Sequence, residues 1–149
     1  MLICKRRFVD GLDWQEAGAY EMISRAFEQN QVPDGCRSWD DVRRRYRKLD
    51  QIFSRLKAGS KFHTRKKLGV KKAYREYGGV YVHIGRSGNI LFAGGGFHRL
   101  AMALYAGLET IPAQVGVIHL QALQNSTYYK LLDKNQSKGQ DNFTGISMT

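Results

Sequence analysis

The run Gly94-Gly95-Gly96-Phe97-His98-Arg99 combines backbone freedom, an imidazole and a guanidinium within a few residues. Glycines admit φ > 0 and let the main chain approach a ligand closely. A helix that starts directly after them aims its first N–H groups at an anion, an effect worth ~0.3–1 kcal/mol at an exposed site. Arg99, on the first turn, can add a bidentate pair to phosphate. His98 can donate a further hydrogen bond, or serve as acid or base near neutral pH, and is the candidate catalytic group. The chemistry these residues offer is phosphate binding, with Gly94, Gly95, Gly96, His98 and Arg99 as the binding set. The competing account is a plain strand-to-helix connection beside a packed histidine.

A second set of cations, Lys61, His63, Arg65, Lys66 and Lys67, reads as a secondary anion-binding segment. It belongs to a longer basic tract that includes Arg43, Arg44, Arg47, Lys48, Arg55, Lys71, Lys72 and Arg75, in which Asp50 is the only acid. Charge runs are commonly solvated faces, yet self-repulsion on this scale is relieved by an anionic partner. Tyr46, Phe62, Tyr74 and Tyr77 interleave with the cations, but Tyr46 falls on an apolar helix face, so base stacking has little support. Carboxylates are scarce near the glycines: from Gly78 to His119 there is only Glu109. Mg²⁺ is therefore not supported by the sequence, and a base or metal ligand would have to come from Asp10, Asp13, Glu16 and Glu21, or from Asp40, Asp41 and Asp50. His63, His83 and His119 are too scattered to argue a zinc site, and no metal is expected.

The elements that must position these groups follow from periodicity and punctuation. Leu2 to Val9 reads as a short strand ended by Gly11. From Trp14, the residues Ala17, Tyr20, Ile23, Ala26 and Phe27 mark one helix face, closed by Val32-Pro33-Asp34-Gly35. Ser38 with Asp41 resembles a capping box ahead of Val42, Tyr46, Leu49, Phe53 and Leu56, which predicts a helix from Trp39 to Ala58. Val80 to Ile84 alternates like a half-buried strand, Gly85-Arg86-Ser87-Gly88 turns, and Asn89 to Ala93 returns as the second arm of a hairpin. The helix after the glycines is expected to bury Leu100, Ala101, Leu104 and Tyr105, with Gly107 beyond its end. Ala113 to His119 reads as a third strand, Leu120 to Asp133 as a last helix, and residues from Asn135 onward as a frayed tail.

The 149 residues suit one ordinary domain, and 42% apolar with 25% charged residues is globular. A formal net charge of +11 favours an anionic partner: nucleotide, nucleic acid or acidic surface. Cys4 and Cys36, the only cysteines, form no framework or zinc spacing, which fits a reducing cytoplasm. No window approaches the ~18 apolar residues of a membrane span, and the apolar start is too short for a secretory signal.

The segment from His83 to His119 resembles the ParB/sulfiredoxin superfamily. The matching pieces are a strand, a GxxR-type corner (Gly96-Phe97-His98-Arg99), a short helix, the Gly107-Leu108 step and the Ile111-Pro112 entry into a strand. Sulfiredoxins carry a similar Gly-Gly-Cys-His-Arg signature and ParB partition proteins a related Gly-Glu-Arg-Arg one. The resemblance implies that the corner and its arginine hold nucleotide phosphates. The chain is similar, over most of its length, to uncharacterised ParB-like proteins whose helical N-terminal half precedes this unit, through Ser38 to Arg65 and its Lys-Phe-His-Thr-Arg stretch. Two departures matter. Phe97 stands where sulfiredoxins have their reactive cysteine, so sulfinic acid reduction lacks its nucleophile. Phe97 and His98 also replace the acidic residue of many ParB corners, which removes a group used in nucleotide handling.

The expectation is thus an α/β (α+β) domain over residues 1–134. A helical portion, 1–77, precedes a small mixed ParB/sulfiredoxin-like sheet with a Gly-rich corner, 78–119, and a C-terminal helix, 120–134. The expected ligand is a nucleotide such as ATP or CTP. The alternatives are a basic nucleic-acid-binding module, with or without nuclease activity, and a small-molecule phosphotransferase, a class the same superfamily contains. Oligomeric state is not readable from the chain.

Overall fold

Leu2–Phe8 forms helix α1 rather than the short strand its apolar lead-in resembles. Two features explain this. Cys4 and Phe8, one turn apart, share a face: Cys4 is fully buried and the Phe8 ring stacks on Phe53 at 4.3 Å. Lys5, Arg6 and Arg7 occupy the last turn, where cations complement the helix dipole. These descriptions come from a computed structural model, which describes residues 1–64, 67–69, 79–136 and 145–147. Arg65, Lys66, Lys71, Lys72, Arg75, Tyr74, Tyr77 and Gly78, named above from sequence, lie outside the described residues.

The chain divides into two compact units, Met1–Ser60 with Leu104–Gly107, and Lys61–Ala103 with Leu108–Thr149. In the first, the periodicity beginning at Trp14 is split. Asp13 and Glu16 cap one another's backbone N–H groups at 2.8 and 2.9 Å and start a single turn. Gly18, at φ 90, ends that turn, and helix α2 begins only at Ala19, running Ala19–Glu28. Pro33–Gly35 makes a 3₁₀ turn. Helix α3 then runs Trp39–Lys57, with the Ser38 hydroxyl accepting from the Asp41 N–H as its sequence position demands.

An unbroken succession of ring contacts builds the core of this unit: Phe53 on Phe8, Phe8 on Trp14, Trp14 on Tyr46, Tyr46 on Tyr20, and Tyr20 and Phe27 on Trp39. Such pairs add ~0.5–1.5 kcal/mol each beyond area burial. Asp50 ties the layer together, accepting from Arg7 Nε at 2.8 Å and from Trp14 Nε1 at 3.1 Å. Burial, with Asp34 beside it, pushes the Tyr46 phenol well above its usual range, so the hydroxyl stays a donor to Asp34 at 2.9 Å.

The second unit is α+β. Strand β1, Val80–Ile84, pairs antiparallel with β2, Ile90–Phe92, and parallel with β3, Thr110–Ile118, while β4, Gly145–Ser147, pairs antiparallel with β3. The sheet order is β2-β1-β3-β4. Helix α4, Phe97–Ala106, connects β2 to β3. Val80, Val82, Ile111 and Ala113 form a core with Ala103, against which Phe62, Leu100, Leu108 and Val115 pack. The stripe of α4 applied to the sheet is thus Leu100 and Ala103, spaced by three. Leu104, expected in the buried face, lies one step further around the helix and is 43% exposed. Met102 takes its place among the buried residues.

The expected last helix is two: α5, Leu120–Gln124, and α6, Thr127–Gln136. Ser126 sits at φ 60 between them, and Asn125 Oδ1 accepts the Thr127 N–H at 3.1 Å, so a cap interrupts the apolar pattern. The segment read as a tail from Asn135 supplies the end of α6 and the edge strand β4. Its remaining residues, 137–144 and 148–149, lie outside the described residues.

Candidate functional site

The glycine run is a looped-out corner at the end of the β1–β2 hairpin. The ladder continues past Phe92: Ala93 N–H donates to Tyr81 O at 2.9 Å, and Tyr81 N–H donates to Gly95 O at 3.0 Å. Gly94, between these two bonds, bulges outward at φ 84 and is exposed, with no heavy atom within 4 Å of where a Cβ would stand. Gly95 lies against the Tyr81 side chain, 3.2 Å from a would-be Cβ. Gly96 is the tightest point. At φ 77, a Cβ there would fall 2.2 Å from Gly79 O and 2.7 Å from Val80 Cα. Packing alone therefore accounts for Gly95 and Gly96, and Gly94 is the glycine that faces open space.

Gly96 O accepts the Leu100 N–H at 3.0 Å, which makes it the cap position of α4. The N–H groups of Phe97, His98 and Arg99 lie ahead of that first intrahelical bond, outside the ladder. The first turn carries no acid, so nothing of its own charge offsets the positive end of the helix dipole. His98 and Arg99 are half-buried, and the Phe97 and His98 rings meet edge to face at 5.8 Å.

Arg99 holds the relationship that the sequence does not announce. Its guanidinium lies over the Phe62 ring, 5.1 Å from the centroid. Phe62 packs on the sheet core, so its ring is fixed beside the first turn of α4. Lys61 and His63, the exposed neighbours of Phe62, accordingly lie within one residue of the ring that Arg99 covers. The corner and Phe62, separate in sequence, meet here. Lys67 is described and its N–H donates to Thr64 Oγ1 at 3.2 Å. The sequence signal for this junction was a lone phenylalanine within a polar, basic run.

The other histidines on the sheet have structural work. His83 Nδ1 accepts the Val117 N–H at 3.0 Å, where the β1–β3 register shifts between Val82 and Ile84. That bond requires the ring proton on Nε2. His119 Nδ1 caps α5 by accepting from Gln121 N–H at 3.1 Å. Of the acids considered as bases or ligands, all but the exposed Asp10 are similarly engaged: Asp13 and Glu16 with each other's backbone, Glu21 with Arg25, Asp40 with Arg43, Asp41 with Arg44 and Ser38, and Asp50 with Arg7 and Trp14. The Ser38 hydroxyl and Arg37 N–H on its carboxylate lower the Asp41 pKa below the ordinary range. Among the described residues, no group of three or more His, Cys, Asp or Glu gathers as a metal site would need. No helix among them is long and apolar enough to cross a membrane.

Comparisons of the chain with protein-family models, with curated proteins and with solved structures find no match.

Proposed function

We propose that the Gly94–Arg99 corner binds a phosphate-bearing ligand, a nucleotide such as ATP or CTP. The observation that carries this reading is the seat of Arg99 on Phe62, which holds a guanidinium at the first turn of α4 over the ring that stands between Lys61 and His63 in the chain. Backbone N–H groups of the first turn of α4 receive phosphate oxygens, and the open loop at Gly94 gives the ligand its close approach. Arg99 contributes a charge-assisted pair, His98 a hydrogen bond, and Lys61, His63 and Lys67 neutralise the remaining charge. The ParB/sulfiredoxin resemblance of the same residues points to the same ligand class. The reading is one of binding, because between Gly78 and His119 the chain offers a single carboxylate, Glu109, where a phosphotransferase would need a base and metal ligands.

Isothermal titration with ATP, CTP and pyrophosphate tests it. The wild-type chain binds at least one of them, and Arg99→Ala weakens that binding by about tenfold to a hundredfold, the scale of a hydrogen-bonded ion pair. Absence of heat with all three ligands removes the proposal.

A further inference from the structure

The long helix α3 carries a second cationic feature that the corner does not use. From Arg43 to Lys57 every charged residue except Asp50 is basic. The pairing within the first unit is uneven. Arg43 lies 2.6 Å from Asp40, Arg44 pairs with Asp41, and Arg45 approaches Asp34 at 4.0 Å. Asp50, the one acid in the middle of the helix, is taken by Arg7 and Trp14. Arg47, Lys48 and Arg55 are exposed and have no carboxylate within ion-pair distance among the described residues.

These cations are not scattered. Arg44, Lys48, Gln51 and Arg55 follow spacings of four, three and four, which lays them along one side of the helix. Together with Arg47 and Ile52 they line a shallow depression of about 330 Å³. The stripe spans roughly 16 Å at 1.5 Å per residue, the axial length of about five base pairs.

We infer that this face of α3 binds the phosphate backbone of double-stranded DNA without reading sequence. Arg47, Lys48 and Arg55, which have no acid partner among the described residues, present a row of cations that matches a polyanion, and each neutralised phosphate releases condensed counterions. The stripe offers no aromatic platform: Tyr46 is buried and Phe53 is stacked on Phe8, so a single strand would find no ring for its bases. A helix about 10–12 Å across fits the ~12 Å major groove of B-form DNA. The deep, narrow major groove of A-form RNA does not admit it.

Fluorescence anisotropy with a labelled duplex of roughly 30 base pairs, over a range of salt concentrations, tests the inference. Three proteins are compared: wild type, Arg47→Ala/Lys48→Ala/Arg55→Ala, and a control of equal charge, Arg25→Ala/Arg37→Ala/Arg86→Ala. Wild type binds at low salt, and the α3 variant reduces the slope of log K against log salt by about 2.7, or 0.9 per lost contact. The control stays within a few-fold of wild type. All substituted positions are exposed, and unchanged thermal unfolding of both variants confirms that the fold is intact. No binding by wild type at low salt overturns the inference. So does equal loss in the control, which would mean net charge alone is sensed, and so does equal affinity for duplex RNA or single-stranded DNA.

Discussion

The guanidinium carbon of Arg99 sits 5.1 Å from the centre of the Phe62 ring. A cation on a ring face within ~6 Å is held electrostatically, by ~0.5–1 kcal/mol when exposed and ~2 when desolvated. Arg99 is half-buried, and the ring beneath it is fixed by the sheet core. The contact therefore holds the guanidinium at the first turn of α4 before any ligand arrives, and preorganisation of this kind lowers the entropy lost on binding. Replacing Phe62 by Leu keeps an apolar side chain on the core but removes the ring face. Nucleotide affinity in Phe62→Leu should fall roughly 2- to 30-fold by titration calorimetry, the range of a cation–π contact. Unchanged affinity would show that the ring does not position Arg99 for a ligand.

Gly94 and Gly96 should respond in opposite ways to alanine. At Gly96 a methyl group meets the Gly79 carbonyl at 2.2 Å and the β1 backbone, neither of which can yield. Gly96→Ala should lose more than about 3 kcal/mol in urea unfolding, since overpacking adds to the left-handed strain. Gly94 has open space, so Gly94→Ala should cost only the strain of φ 84, about 1–2 kcal/mol. Similar losses at both would contradict the close approach at Gly96.

Asp50 is the hydrogen-bonded centre of the first unit, and its side chain is 29% exposed. Asp50→Ala leaves Arg7 Nε and the Trp14 indole N–H without their acceptor, while the Arg7 bond to the Leu12 carbonyl remains. A loss of about 2–3 kcal/mol is expected by chemical denaturation. A loss under about 0.5 kcal/mol would show that solvent replaces the carboxylate at no cost.

Burial pushes the Cys4 thiol up from its ordinary 9.0 to about 11. The unfolded chain releases this proton first, so the group's contribution is complete below 9.0 and is lost as pH rises toward about 11. The whole effect is about 2–3 kcal/mol. Unfolding free energies at about pH 8 and about pH 10.5 should therefore drop more steeply in wild type than in Cys4→Ala. Equal slopes would mean that Cys4 ionises as freely in the fold as outside it.

Local chemistry made much of this architecture legible. Ser38 and Asp41 mark the start of α3 because a cap must be a short acceptor there, and the alternation of Val80, Val82 and Ile84 marks β1 because a half-buried strand has period two. The hairpin and the corner were readable for a related reason: tight turns need residues at φ > 0, which glycine supplies without strain, as at Gly88, Gly94 and Gly96. What escaped depends on partners distant in sequence. Leu2 to Phe8 becomes helical through Phe53, and Arg99 finds Phe62 across more than thirty residues of chain. Single-residue conformations escaped too. Gly18 at φ 90 and Ser126 at φ 60 each divide a helix whose apolar periodicity runs straight through them. In the site, the close approach of Gly96 to Gly79 shows why a glycine is needed where the sequence could say only that one is tolerated.

The phosphate-binding corner is tested most directly by titrating ¹⁵N-labelled protein with pyrophosphate and CTP while following each backbone amide by NMR. The largest shifts should fall on Gly94 through Arg99, with smaller ones at Lys61 to His63, and should disappear in Arg99→Ala. Shifts confined to other parts of the chain, or none at millimolar ligand, would contradict the account.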